Sequence, residues 1–261
     1  MRSGVRHERV IGFTLRVQAG EIHSRACRTR YGNRTGTSYT VGTGDTVSYR
    51  YVYGVVEASD SIEFETDAVA GGESVYPIRH RNFAALVSDV ETTEPEETDE
   101  DARRHDEVLR ECMFREGGRT IVPMQFGMVF ENDRALKNVL RGGRPAFRRT
   151  IRDVEGTVEL GLKIVREEDA TVDRDSVVET VATELDDVVI DSVENGRFSD
   201  RLVLNRSYLV DRDERERFDE AVARLEDLDG SEFGDVEGDL TFSYSGPFAP
   251  YSFVDVHIGA Q

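Results

Sequence analysis

Val158-Glu159-Leu160-Gly161-Leu162-Lys163-Ile164-Val165 decides the reading of the C-terminal half. Val158, Leu160, Leu162 and Ile164 alternate with Glu159, Gly161, Lys163 and Val165, the period-two pattern of a half-buried strand. The downstream elements set the topology. Residues 176–189 place Val177, Val178, Val181, Ala182, Leu185, Val188 and Val189 at helical spacing, with Ser176 and Glu179 positioned as a capping box. Residues 202–210 read as a strand. Residues 213–228 read as a helix with Phe218, Ala221, Val222, Leu225 and Leu228 inward, capped by Asp213 and Glu216. Leu240, Phe242 and Tyr244 alternate in a last strand. This order predicts an α+β, ferredoxin-like domain over residues 154–261, an antiparallel sheet with helices packed on one face. Its remaining strand is either not visible in the pattern or formed by splitting 202–210.

Residues 50–153 predict a second small α+β domain. Tyr51-Val52-Tyr53-Gly54-Val55-Val56 is dominated by aromatic and β-branched residues and reads as a strand. Residues 74–80 and 83–90 read as two strands around Arg81-Asn82. Residues 91–101 are acidic, contain Pro95 and predict a loop. Residues 101–116 predict an amphipathic helix with Ala102, His105, Leu109, Cys112 and Met113 on one side, stopped by Gly117-Gly118. Residues 121–130 form the most apolar decapeptide, yet Pro123 and Gly127 argue against an ordinary central strand. Residues 133–140 predict a short helix ended by Gly142-Gly143, and Pro145 opens another helical segment.

The 261 residues hold 33 Lys+Arg against 52 Asp+Glu, a net charge of -19. Lys137 and Lys163 are the only lysines. Such acid-rich, lysine-poor composition resembles that of proteins from salt-loving archaea. In molar salt the Debye length is about 3 Å, so dense surface acid repels itself little. The charge argues against a general nucleic-acid binder. Residues 1–49 depart from it, with Arg2, Arg6, Arg9, Arg16, Arg25, Arg28, Arg30 and Arg34 against Glu8, Glu21 and Asp45, or +5, leaving -24 for the rest. They read as a basic arm, a tail without a role, or translation assigned too far upstream; residues 9–17 are apolar enough for a strand. Cys27 and Cys112 make neither a disulfide framework nor a thiolate cluster. With no long apolar run and no leader pattern, the expectation is a cytoplasmic protein without a transmembrane segment.

Few residues suggest chemistry. His105 and Cys112 share a helix face, but zinc needs two further ligands, so packing is the better reading. No nucleotide-binding or nucleophile motif is present. Glu107 and Glu111 form an i,i+4 pair of a kind that 52 acids produce by chance. No catalytic residue, metal or cofactor is therefore expected. Arg144, Arg148, Arg149 and Arg152 form a basic strip lacking the aromatics that stack bases, expected to bridge locally to acids, with an acidic protein partner as the functional alternative. The aromatic residues stand out more. Phe126, Phe130, Phe248, Tyr251 and Phe253 lie in segments bounded by glycine and proline. They predict either a plug sealing one domain on the other or a docking patch for an apolar protein.

Several blocks together resemble the GvpF/GvpL family of gas vesicle proteins, most closely its haloarchaeal GvpL type. They are residues 51–56, Arg104-His105-Asp106-Glu107-Val108-Leu109, Thr120-Ile121-Val122-Pro123-Met124-Gln125-Phe126-Gly127, residues 158–163, Asn205-Arg206-Ser207-Tyr208-Leu209-Val210 and Gly246-Pro247-Phe248-Ala249-Pro250-Tyr251-Ser252-Phe253. Gln125 stands where the family more often has Arg, and Phe248-Ala249 where it more often has Trp-Pro. The resemblance implies a non-enzymatic, two-domain α+β accessory or minor structural protein. It would assist assembly of the gas vesicle wall by contacting the hydrophobic shell protein and other accessory proteins. The alternative is a small-ligand-binding regulatory protein, for which ferredoxin-like topology is the only warrant.

Overall fold

Two antiparallel sheets and five α-helices organise the computed structural model, which describes residues 48–255 apart from 169, 198, 229 and 235. The expectations for residues 1–47, the strand at 9–17 and Cys27 among them, lie outside the described residues. The chain runs β1 (Tyr49–Glu57), β2 (Phe64–Glu65), β3 (Ser74–His80), β4 (Phe83–Val90), α1 (Asp99–Phe114), β5 (Val122–Pro123), β6 (Val129–Phe130), α2 (Asp133–Gly142) and α3 (Arg144–Asp153). It continues through β7 (Thr157–Arg166), α4 (Arg174–Leu185), β8 (Asp191–Glu194), β9 (Leu202–Asp211), α5 (Arg215–Asp227) and β10 (Leu240–Phe248). From Ser48 onward the described residues form one compact unit, and the expected division at Val154 falls in the turn between α3 and β7.

The first sheet has the order β2-β3-β4-β1-β5, with β6 also paired to β1. Alternation along β1 and β4 sends side chains to two different cores. Tyr51, Tyr53, Ala84 and Leu86 face α1, whose Val108, Leu109, Cys112 and Met113 are buried against them. Val52, Val55, Phe83, Ala85 and Val87 face the opposite way, under Leu136 and Leu140 of α2 and Phe147 and Ile151 of α3. The sheet is thus covered on both faces. Gly54 marks a register shift in β1. A Cβ there would meet the Ile121 side chain at 2.7 Å and the Val122 carbonyl oxygen at 2.8 Å, so glycine allows the close approach of β5. The 121–130 decapeptide fails as an ordinary strand, as expected, and pairs with β1 as a strand only in the two-residue pieces β5 and β6.

The second sheet has the order β10-β7-β9-β8, every neighbour antiparallel. With its βαββαβ chain order this is the ferredoxin-like arrangement. Val158, Leu160, Leu162 and Ile164 are fully buried beneath Val177, Val181 and Leu185 of α4 and Phe218, Ala221, Val222 and Leu225 of α5. The strand missing from the sequence pattern is β8, while 202–211 is one unbroken strand. Edge strand β8 is mostly exposed, so no alternation betrays it.

Helix α1 starts at Asp99 rather than Asp101, capped by Thr98, which accepts the Asp101 N–H at 3.0 Å, and two further helix starts differ from expectation. Asp173 caps α4, accepting the Asp175 N–H at 3.2 Å, and the Ser176 hydroxyl donates to it at 2.7 Å. Ser176 therefore serves the cap rather than being it, and α4 ends at Leu185 instead of 189. Asp211 accepts the Asp213 N–H at 2.8 Å and opens a 3-10 turn ahead of α5, displacing the predicted Asp213 cap. A carboxylate earlier in the chain wins in both cases because it reaches the exposed N–H groups first.

Candidate functional site

Three of the predicted aromatic residues, Phe248, Tyr251 and Phe253, lie where the chain leaves the second sheet and returns to the first. At the end of β10, Gly246 has φ +117°, and a Cβ would sit 2.9 Å from the Glu159 carbonyl oxygen. Glycine is needed there to turn the strand across β7. Ala249 is then fully buried in the α1-side core of the first sheet, and Tyr251 packs beside it. Ser252 fixes the crossing: its N–H and hydroxyl donate to the two oxygens of Glu159, at 2.8 and 2.6 Å. The segment is therefore a strap that seals one sheet onto the other.

His105 on α1 lies at the centre of the strap's seat. Its Nε2 is 3.2 Å from the Met124 carbonyl oxygen, which can only accept, so Nε2 carries the proton. Nδ1 then accepts from the Tyr51 hydroxyl at 2.7 Å, and that hydroxyl accepts the Gly127 N–H at 3.2 Å. Phe126 meets both rings, 5.9 Å from Tyr51 and 5.9 Å from His105, and Tyr251 closes over His105 at 6.4 Å. One imidazole thus ties α1, β1, the 121–130 segment and the C-terminal strap together.

Burial sets the protonation of this seat. It lowers His105 to about 4, partly opposed by the Met124 hydrogen bond, so the ring is neutral. It raises Asp106 to about 6 against the opposing Arg110 guanidinium, which lies 3.1 Å away. Asp106 Oδ1 is buried with no partner. Burial also raises Glu159, opposed by the Ser252 and Ser207 hydrogen bonds. The Tyr251 hydroxyl is held far above its ordinary range by burial and then by Asp106, Tyr51 and Glu159 around it. His105, Asp106 and Glu159 are all buried here.

Of the five predicted residues, the structure brings Phe126 and Tyr251 together. It separates Phe130, which packs with Met128 and Val254 on the α2–α3 side of the first sheet. Phe248 ends β10 opposite Glu159, and Phe253 lies in the 3-10 turn after it, both half-buried. The most exposed large apolar residues, among those described, are Phe114 and Ile190, which sequence reasoning did not select. A second junction lies near Phe114. Arg212 stacks 5.5 Å over its ring and donates to the Arg119 carbonyl at 2.9 Å, while the Gly156 N–H donates to Thr120 Oγ1 at 3.1 Å. Nothing in the α1 sequence marks Phe114 as exposed, since it follows directly on buried Cys112 and Met113.

The other constellations resolve simply. Cys112 is fully buried and both His105 nitrogens are occupied by hydrogen bonds, so the pair is packing. No cluster of three or more metal-binding side chains occurs among the described residues. Glu111 pairs with Arg115 at 3.3 Å. Two surface depressions, one along α4 lined by Glu179, Thr183 and Glu184 and one beside Arg212 lined by Asp213, Glu216 and Asp219, are open to solvent. No described helix is long and apolar enough to cross a membrane.

Comparison with known proteins adds independent findings. The family model described as "Gas vesicle synthesis protein GvpL/GvpF" matches residues 49–175 and 166–255. "Gas vesicle protein F" of Haloferax mediterranei is 50% identical over 211 residues, covering 81% of this chain and 95% of its own. "Gas vesicle protein F1" of Halobacterium salinarum is 47% identical over the same shares. These relatives carry the F name, rather than the L name toward which the sequence resemblance leaned. The crystal structure of GvpF from Microcystis aeruginosa is similar in fold, with a TM-score of 0.67 at 16% identity, covering 81% of this chain and all of that one. That of GvpF from Anabaena sp. PCC7120 gives 0.66 at 17% identity, covering 82% and 99%.

Proposed function

Because the chain belongs to the GvpL/GvpF family of gas vesicle proteins, we propose that it assists assembly of the gas vesicle wall, without catalysis, by binding the hydrophobic shell protein and other accessory proteins. The accessory role in gas vesicles follows from the family. The partners and the manner of assembly are our reading. The observation that carries it is a family match running through both sheets and the strap, so the whole described architecture goes with the role. The acid-rich surface keeps such a protein dispersed at high salt while restricted apolar surface meets an apolar subunit before that subunit is incorporated. In this reading the protein works in the cytoplasm beside the growing vesicle.

Phe248 and Phe253, half-buried on the strap, are the proposed contacts, with Phe126 and Tyr251 holding the surface beneath them and Phe130, on the other face of the sheet, set apart. Capture of purified shell protein by Phe248→Ala and Phe253→Ala variants tests the contact. The expected result is reduced capture with an unchanged circular dichroism spectrum; undiminished capture removes these residues from the interface. Deleting the gene and looking for vesicles by electron microscopy tests the role. Normal vesicles, in cells lacking any paralogue to compensate, would defeat it.

A further inference from the structure

The basic strip on the helical hairpin is larger than its four spaced arginines suggest. Between Asp133 and Asp153 lie Arg134, Lys137, Arg141, Arg144, Arg148, Arg149 and Arg152, with no acid among them, in a chain of net charge -19. Leu136, Leu140, Phe147 and Ile151 anchor α2 and α3 to the first sheet, while Arg134, Arg141, Arg148, Arg149 and Arg152 are exposed. The expected local bridging is almost absent. Arg152 meets Asp153 at 3.3 Å and Lys137 meets Asp133 at 3.9 Å. The side chains of Arg134, Arg141, Arg144, Arg148 and Arg149 make no ion pair or hydrogen bond among the described residues, and Arg144 Nε is buried without an acceptor. In so acidic a protein, five unpaired arginines on one helical hairpin are a surface held open for carboxylates.

The complement lies in the same chain. Glu91, Glu94, Glu96, Glu97, Asp99, Glu100 and Asp101 follow one another with no base between them. The first six are exposed. Glu100 and Asp101 pair with Arg104, but Glu91, Glu94, Glu96, Glu97 and Asp99 have no ion-pair partner among the described residues. This segment leads into α1, which covers the face of the first sheet opposite to α2 and α3. No ion pair joins these two charged surfaces within one copy, among the described residues.

We infer that the α2–α3 face is a docking surface for the acidic 91–101 segment of a second copy of this chain. Each copy presents one surface of each sign, so the contact joins unlike surfaces, head-to-tail, and leaves a free surface at each end. Such a heterologous contact builds rings or open rows rather than closed two-fold dimers. Nucleic acid is the poorer occupant, since the one aromatic ring among the arginines, Phe147, is fully buried and cannot stack bases, and the rest of the body repels a polyanion. In molar salt, where charges are screened within about 3 Å, only direct arginine–carboxylate contact would survive, and the bidentate guanidinium suits it.

Sedimentation velocity of the full chain at increasing protein concentration, at a salt concentration that preserves the fold, tests the inference. Wild type should show mass rising above the monomer. Arg148→Glu/Arg149→Glu should weaken self-association by about tenfold or more, and Glu94→Arg/Glu97→Arg should do the same. All four side chains are exposed, and circular dichroism confirms the fold of each variant. Mixing the two variants should restore association, because each then meets an opposite charge at both ends. A wild type that stays monomeric throughout overturns the inference. So do variants that associate like wild type, a mixture that does not recover, or arginine-dependent binding of duplex DNA or anionic vesicles by a protein that does not self-associate.

Discussion

Lowering the pH from 7 to 4 should pull two neighbouring residues of α1 in opposite directions. His105 is neutral in the fold, its pKa lowered from 6.5 to about 4 by burial. The unfolded chain takes up a proton first, so stability is lost as pH falls from 6.5 through about 4, by about 3 kcal/mol at 1.36 kcal/mol per pH unit. Asp106 has the reverse sign. Burial raises it from 3.8 to about 6, so the folded state takes up the proton first. Its contribution is fully present below 3.8 and lost as pH rises through about 6, again about 3 kcal/mol. Buried Glu159 is also raised and adds to the acid side. The two α1 effects nearly cancel in wild type. Variants expose them: the stability of wild type minus that of His105→Gln should fall by about 3 kcal/mol from pH 7 to 4. Wild type minus Asp106→Asn should rise by a similar amount over the same range. Urea titrations at fixed salt give both differences. A wild-type minus His105→Gln difference that stays flat with pH would refute the buried, neutral imidazole and the proton assignment resting on it.

Gly54→Ala should destabilise the fold by about 1–3 kcal/mol in urea melts, because the new methyl group meets both the Ile121 side chain and the Val122 carbonyl. Phe147→Ala should cost about 3–5 kcal/mol, since the ring is fully buried where α3 meets the first sheet, and a thermal melt reads it directly. Ser252→Ala removes the 2.6 Å hydroxyl bond to buried Glu159 while leaving the backbone bond. It should cost about 1–3 kcal/mol at pH 7. Loss of sheet-two signals alone, without any effect on the first sheet in hydrogen exchange, would contradict the strap.

Legibility in the sequence followed burial. The β3 and β4 spans, 74–80 and 83–90, could be read directly because tight hairpin residues bound them, and β7 because its inward side alternates strictly. The ferredoxin-like topology followed from the order of elements even with a strand missing. β8 was invisible because Asp191–Glu194 buries almost nothing, so no hydrophobic period exists to detect. The two-residue β2 escaped for want of length. Helix starts erred where two carboxyl or hydroxyl side chains compete within three residues, a choice made by backbone geometry rather than residue type. In the candidate site, the aromatics were visible but not their partners. His105 reads as an ordinary helical residue, and its links to Tyr51 and Met124 join positions far apart in the chain. The same holds for Glu159, which the pattern of β7 assigns to an outward face and the strap then buries.

The strap also constrains how the protein can be made. Ala249 and Tyr251 belong to a core whose other members lie between residues 49 and 129. A chain emerging from the ribosome can form β1, β4 and α1 early, yet their shared core keeps an open apolar seat until residues 249–251 have been synthesised. Folding of the first sheet therefore ends with the return of the C-terminal strap, after the whole second sheet has emerged. The long-range contact is slow to form and leaves aromatic surface exposed to other nascent chains in the interval.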